Sequence, residues 1–183
     1  MNKLVTVMLS CLLAVVSPAH ADQLDPRLDD LFRQLKSTSD ARQAGVIEAQ
    51  IWQAWVAHDN SEYAQLMMTG IEQMNRNALG AALATFNQLI QNVPDFAEAW
   101  NKRATLHYLM RNFEASEADI RKTLELEPFH FGALSGLGLV YLGQGRYEQA
   151  RNAFNDALEV NPHMSAVRSN VEQLEDYLRS RII

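Results

Sequence analysis

Between Phe131 and Pro162 apolar residues recur at helical steps on two successive stretches, Leu134, Leu137, Val140 and Tyr141 on the first and Ala150, Phe154, Ala157 and Leu158 on the second. Steps of three and four residues place each set on one face of a helix, so two amphipathic helices are predicted. Gly143-Gln144-Gly145 separates them, and Pro162 ends the second because proline cannot continue the helical hydrogen-bond ladder. The pattern is that of a helical hairpin.

The same pattern returns every 34 residues, as Pro94, Pro128 and Pro162 show. Leu66, Trp100 and Leu134 share one column, and Gly70, Ala104 and Gly138 another. Further columns hold Leu79, Phe113 and Tyr147, then Ala82, Ser116 and Ala150, then Phe86, Ile120 and Phe154. The small residues sit where two helices of a hairpin approach closely, and the large ones fill around that contact. A fixed period of this length marks a solenoid of stacked hairpins.

The period and the run Leu137-Gly138, Tyr141, Ala150, Phe154, Pro162 resemble the tetratricopeptide repeat. The resemblance implies an all-α, right-handed α-solenoid with units at 63–96, 97–130 and 131–164. Unit 63–96 departs from the pattern at Gln73, where the next units have His107 and Tyr141. Arg103 replaces an apolar residue, and Asp119 on the partner helix is its expected ion-pair mate.

Subtracting the period from Leu66, Phe86, Leu89 and Ile90 gives Phe32, Trp52, Trp55 and Val56, so residues 22–62 are expected to form a degenerate hairpin in the same register. Asp25-Pro26 reads as N-cap and first helical residue, Lys36 to Asp40 as the turn, and Ala41 to Ala57 as the second helix. Residues 165–183 read as a capping helix: Val167, Val171, Leu174 and Leu178 form one stripe, with Glu172, Gln173, Glu175 and Asp176 opposite. Ile182-Ile183 would project beyond it as a short apolar tail.

In the family that the chain resembles, first helices line a concave groove that receives a peptide or helix. The matching positions are Met67, Ile71 and Met74, then Asn101, Thr105, Tyr108 and Leu109, then Ser135, Leu139 and Leu142. Met and aromatic residues suit an apolar helix or extended segment. One branch of the family captures a C-terminal carboxylate with Lys, Arg and Asn, and here Asn101 is the only match, with no cation joining it. The groove is expected to take a partner, or else to be covered by the N-terminal hairpin or by a second copy, as in a homo-oligomer. A protein-interaction scaffold or adaptor of the bacterial envelope is implied. A chaperone for an exported client such as an apocytochrome, or a self-associating component of an envelope complex, is the alternative.

The N-terminus adds a location. Lys3, the apolar run Leu4 to Val16 and Ala19-His20-Ala21 form a secretory signal, with cleavage expected after Ala21 and a periplasmic product. A membrane span needs about 20 apolar residues, and this run stops at Ser17-Pro18. Acylation at Cys11, the rival, would leave Leu12, Leu13, Val15 and Val16 on the product. Residues 22–183 have no cysteine, so no disulfide supports the fold.

With 48% hydrophobic and 21% charged residues the chain has the composition of a globular domain. Removing Lys3 leaves 15 Lys and Arg against 22 Asp and Glu, and that acidic balance, without a basic stripe, disfavours nucleic acid. Gly136 and Gly138, and Gly143 and Gly145, fall in a helix and a hairpin turn with no preceding strand, unlike a phosphate loop. His130 and His163 lack the close spacing of a chelating pair and are expected to satisfy loop backbone groups, while His107 is expected to pack. Neither a catalytic constellation nor a cofactor or metal site is expected.

Overall fold

A computed structural model describes residues 25–181. The expected signal segment, residues 1–21, and Ile182-Ile183 lie outside the described residues. The helices are α1 (Leu28–Ser37), α2 (Ala41–Val56), α3 (Ser61–Asn75), α4 (Leu79–Asn92), α5 (Ala97–Leu109), α6 (Phe113–Leu126), α7 (Phe131–Gly143), α8 (Tyr147–Val160) and α9 (Ser165–Ser180). Among the described residues there is no strand, and no helix is long and apolar enough to cross a membrane.

Each repeated hairpin turns in the same way. Asn77, Arg111 and Gly145, one per unit at the 34-residue step, have φ of 57°, 59° and 72°. The residue after each donates its N–H five residues back, to Gln73, His107 and Tyr141, and the turn residue itself donates to Met74, Tyr108 and Leu142. That pairing is a Schellman motif, which satisfies carbonyls at the helix end and requires a left-handed residue. Glycine serves at one turn, whereas asparagine and arginine adopt the conformation at the other two.

The small-residue columns hold the hairpins closed. A Cβ on Gly138 would strike the ring of Phe154, and one on Gly70 would strike Phe86. Where the second unit has Ser116, its hydroxyl donates to the Ala104 carbonyl at 2.8 Å, so its polar atom is satisfied inside the contact. Arg103 is bidentate on Asp119, through Nε to Oδ2 at 2.7 Å and Nη2 to Oδ1 at 2.6 Å. Its Nη1 donates to Asn87 of α4 at 2.9 Å, so the pair ties three helices together.

Stacking of hairpin on hairpin uses a different pair of columns. Ala99 and Leu106 of α5, and Ala133 and Val140 of α7, are fully buried against the preceding unit. Val167 and Leu174 continue those columns on α9 and are also buried. The α9 counterparts of Gly138 and Tyr141, which would face a further partner helix, are Glu172 and Glu175, and both are exposed. At the other end the stacking positions of α3 are Gln65 and Glu72, also exposed.

That polarity explains where the N-terminal hairpin goes. Under the alternative expectation it covers the groove, whereas the repeat register alone would make it one more unit in front of α3, where two polar side chains offer nothing to bury. Instead Leu28, Leu31, Leu35, Ile47, Ile51 and Trp55 form one core with Phe131, and Val160 and Met164 pack on it. The hairpin therefore lies against the second and third units. Two polar ties fix it there: His163 Nε2 lies 3.0 Å from the Leu35 carbonyl, and Asn161 donates to Glu48 at 3.3 Å. Asp25 does not cap α1 directly: it accepts the Arg27 N–H at 2.9 Å in a turn that precedes the helix. Asp40 and Asn60 do cap α2 and α3, each accepting two N–H groups of the first turn.

Candidate functional site

The face made by the first helices α3, α5 and α7 has two halves of different character. Near the start of α5 and α7 it is covered by α2. Trp55 stacks flat on His130, with centroids 3.9 Å apart and planes at 11°. Trp52 lies against Gly132, where a Cβ would come within 2.5 Å of its ring, so glycine is what admits the indole.

Beneath the two indoles is a buried polar cluster. Glu98 has no exposed surface and takes Asn101 Nδ2–H at 2.9 Å and the ring of His130 at 2.8 Å. His130 accepts the Ala133 N–H on Nδ1 at 3.0 Å, so the ring proton sits on Nε2 and is donated to Glu98. Lys102 Nζ stands 2.7 Å from the other carboxylate oxygen and 5.2 Å from the centre of Trp52. Burial pushes the Glu98 carboxyl up, but the His130 hydrogen bond and the Lys102 charge outweigh it and hold the group down at about 2. Both histidines singled out in the sequence meet backbone groups, His130 as the cap of α7 and His163 at the end of α1.

Glu98 was not among the residues picked out from sequence. Its column runs Ala64, Glu98, Gly132, and a charge between two small residues, four before a lysine, was the available signal. The cluster also corrects the view that no cation joins Asn101. Lys102 stands beside it, but its charge is taken up by Glu98, so it does not offer a free cation to a carboxylate.

Toward the ends of the same helices the face is open. Asn101, Thr105 and Tyr108 of α5 and Leu139 of α7 line a cleft of about 70 Å³, with Gly132 and Gly136 also in its lining. Thr105 is exposed and Leu109 is 52% exposed, while Tyr108, Ser135, Leu139 and Leu142 are half-buried. The Thr105 and Ser135 hydroxyls donate to the carbonyls of Asn101 and Gly132, each at 3.0 Å. Asn101 is buried on Glu98 and presents only its edge.

The α3 positions do not join the cleft. Met67 is fully buried in the core between α3, α4 and α5 and is inaccessible to a partner, which corrects its place in the groove. Ile71 and Met74 are half-buried against the same core. The cause is local: Met67 stands where α5 has polar Asn101 and α7 has Ser135, and a long apolar side chain there folds inward. No three His, Cys, Asp or Glu among the described residues are grouped to hold a metal ion.

A family model described as tetratricopeptide repeat matches residues 95–162. A TPR repeat-containing protein of Rhizobium etli is 34% identical over 152 residues, which span 83% of this chain and 74% of that protein. The first TPR of Spaghetti (RPAP3), solved bound to the HSP90 peptide SRMEEVD, superposes with a TM-score of 0.63 at 16% identity, over 66% of this chain and 96% of that one. MamA superposes with a TM-score of 0.59 at 16% identity, over 80% of this chain and 78% of its own. At such identities the two structures speak for the fold.

Proposed function

The chain belongs to the tetratricopeptide repeat family, whose domains generally mediate protein–protein interactions, and from that premise we propose that it is a non-catalytic scaffold gripping a protein partner on the open half of its first-helix face. The observation that supports this most is the α5–α7 cleft lined by Tyr108 and Leu139, with exposed Leu109 following Tyr108 in the chain. An exposed apolar patch around a concave feature is the usual mark of a docking surface.

The RPAP3 domain holds a peptide that ends in acidic residues. Here the cation nearest the cleft is neutralised by Glu98 and roofed by Trp52, so an acidic C-terminus lacks its counter-charge. The face fits an apolar helix or extended segment, with Asn101 and Thr105 for a few neutral hydrogen bonds.

Photoreactive residues at Tyr108 or Leu139 are expected to trap a small set of envelope proteins in cells, and probes at exposed Glu125 or Gln149 few or none. Exchanging Tyr108 and Leu139 for Asp should abolish capture while leaving the helical melt nearly unchanged. Capture of the chain by itself alone would instead make the face an oligomer contact.

The export signal supports a periplasmic site of action. Mass analysis of the mature protein is expected to find Asp22 at its N-terminus, and an acylated Cys11 would overturn that.

A further inference from the structure

Docking the hairpin on the second and third units opens a separate cleft of about 850 Å³ between α1, the α6–α7 loop and the end of α8. It shares with the first-helix face only the hairpin and, through Leu134, helix α7. Its floor is apolar: Phe32 and Phe129 meet at a centroid distance of 5.9 Å, with Val160 and Leu134 beside them. Phe129 keeps 57% of its surface exposed, although an aromatic of this size normally buries itself. The α1 wall carries Asp29, Arg33 and Lys36, and the α8 wall carries Asp156 and Glu159. Arg33 is paired with Asp30 at 3.0 Å, whereas Asp29, Lys36, Asp156 and Glu159 enter no ion pair among the described residues.

We infer that this trough is a second binding site, for a short peptide segment carrying a large apolar side chain next to a lysine or arginine. Residues 29, 32, 33 and 36 of α1 line it, a run of about 10 Å at the helical rise, long enough for three or four extended residues. The apolar side chain covers Phe129 and Phe32. The neighbouring cation reaches Asp156 and Glu159, one helical step apart, whose mutual repulsion a cation relieves. Partial burial, and then the Glu159 charge, raise the Asp156 carboxyl above its ordinary value, the condition of a carboxylate short of a counter-ion. Lys36 on the far wall takes a backbone carbonyl of the segment. An acidic segment would set its charge against three unpaired carboxylates, Asp29, Asp156 and Glu159, with Lys36 as the one unpaired cation of the lining, so the trough selects by sign.

The test pans the full chain against random heptapeptides displayed on phage. Enriched sequences should carry Lys or Arg within two positions of Phe, Leu, Ile or Trp. A synthetic peptide of the leading sequence should bind at least tenfold more weakly to Phe129→Ala and to the Asp156→Asn, Glu159→Gln double variant. All three positions are at the surface, so the variants should melt as the parent does. Binding should be unchanged in the Tyr108→Asp, Leu139→Asp variant, which separates this site from the first-helix face. Enrichment of acidic peptides, no enrichment over wells lacking protein, or peptides sensitive to Tyr108 and not to Phe129 would overturn the inference. So would a concentration-dependent dimer that Phe129→Ala abolishes, since the trough would then hold a second copy.

Discussion

Arg111 holds a left-handed backbone at the turn where the following unit has Gly145. An L-residue with a Cβ pays for that conformation, by roughly 1 kcal/mol, while glycine does not. Arg111→Gly is therefore expected to raise stability by up to about 1 kcal/mol, read as a higher midpoint in urea. Glycines in the helices divide the same way. Gly138→Ala should cost about 1–3 kcal/mol, because its methyl meets the Phe154 ring inside a packed hairpin. Gly80→Ala in α4 has nothing within 4 Å and should instead gain about 0.5–1 kcal/mol from helix propensity. Equal effects at the two positions, measured by thermal melts, would contradict the packing described.

At the level of helices, the interface of α2 with α5 and α7 depends on an ionised, fully buried Glu98. Its folded value of about 2 lies below the ordinary 4.5 of a glutamate, so the stability that it contributes is complete above about pH 5 and is lost as pH falls toward 2. By linkage the contribution is on the order of 3 kcal/mol. Glu98→Gln is expected to lower stability at pH 7 and to flatten its fall between pH 5 and pH 2, checked by urea titrations across that range. Much of this architecture was legible beforehand. The helices of the three units follow from columns that repeat without insertion, and so does the Arg103–Asp119 pair, since an arginine in an apolar column needs an acid opposite. The position of the first hairpin did not follow. Residue class alone matched Trp52 and Trp55 to the repeat, while the decisive signal, polar Gln65 and Glu72 where later units have Ala99 and Leu106, concerns what a unit stacks against rather than what it contains. The Glu98 cluster was equally hidden, because it forms only once α2 lies over it.

Seen whole, the molecule joins its two ends: the ties from α1 and α2 to the end of α8 bridge 128 and 113 residues of chain. The other hairpins need only their neighbours, so they can form as soon as each is synthesised, and contacts this local form quickly. The first hairpin has no such option. It leaves the ribosome before α3 to α9, yet the surface that receives it, Phe131, Val160 and Met164, is made only with α7 and the end of α8. Until then Leu28, Leu31, Leu35, Ile47 and Ile51 lack their partners, and the chain carries an apolar element in search of a site, the state most open to aggregation. Refolding followed in parallel by helical circular dichroism and by tryptophan fluorescence in a Trp100→Phe background should show the helices first and the burial of Trp52 and Trp55 as a later, slower phase. Shortening the chain after α6 should remove that phase altogether, because α1 and α2 would then have nowhere to dock.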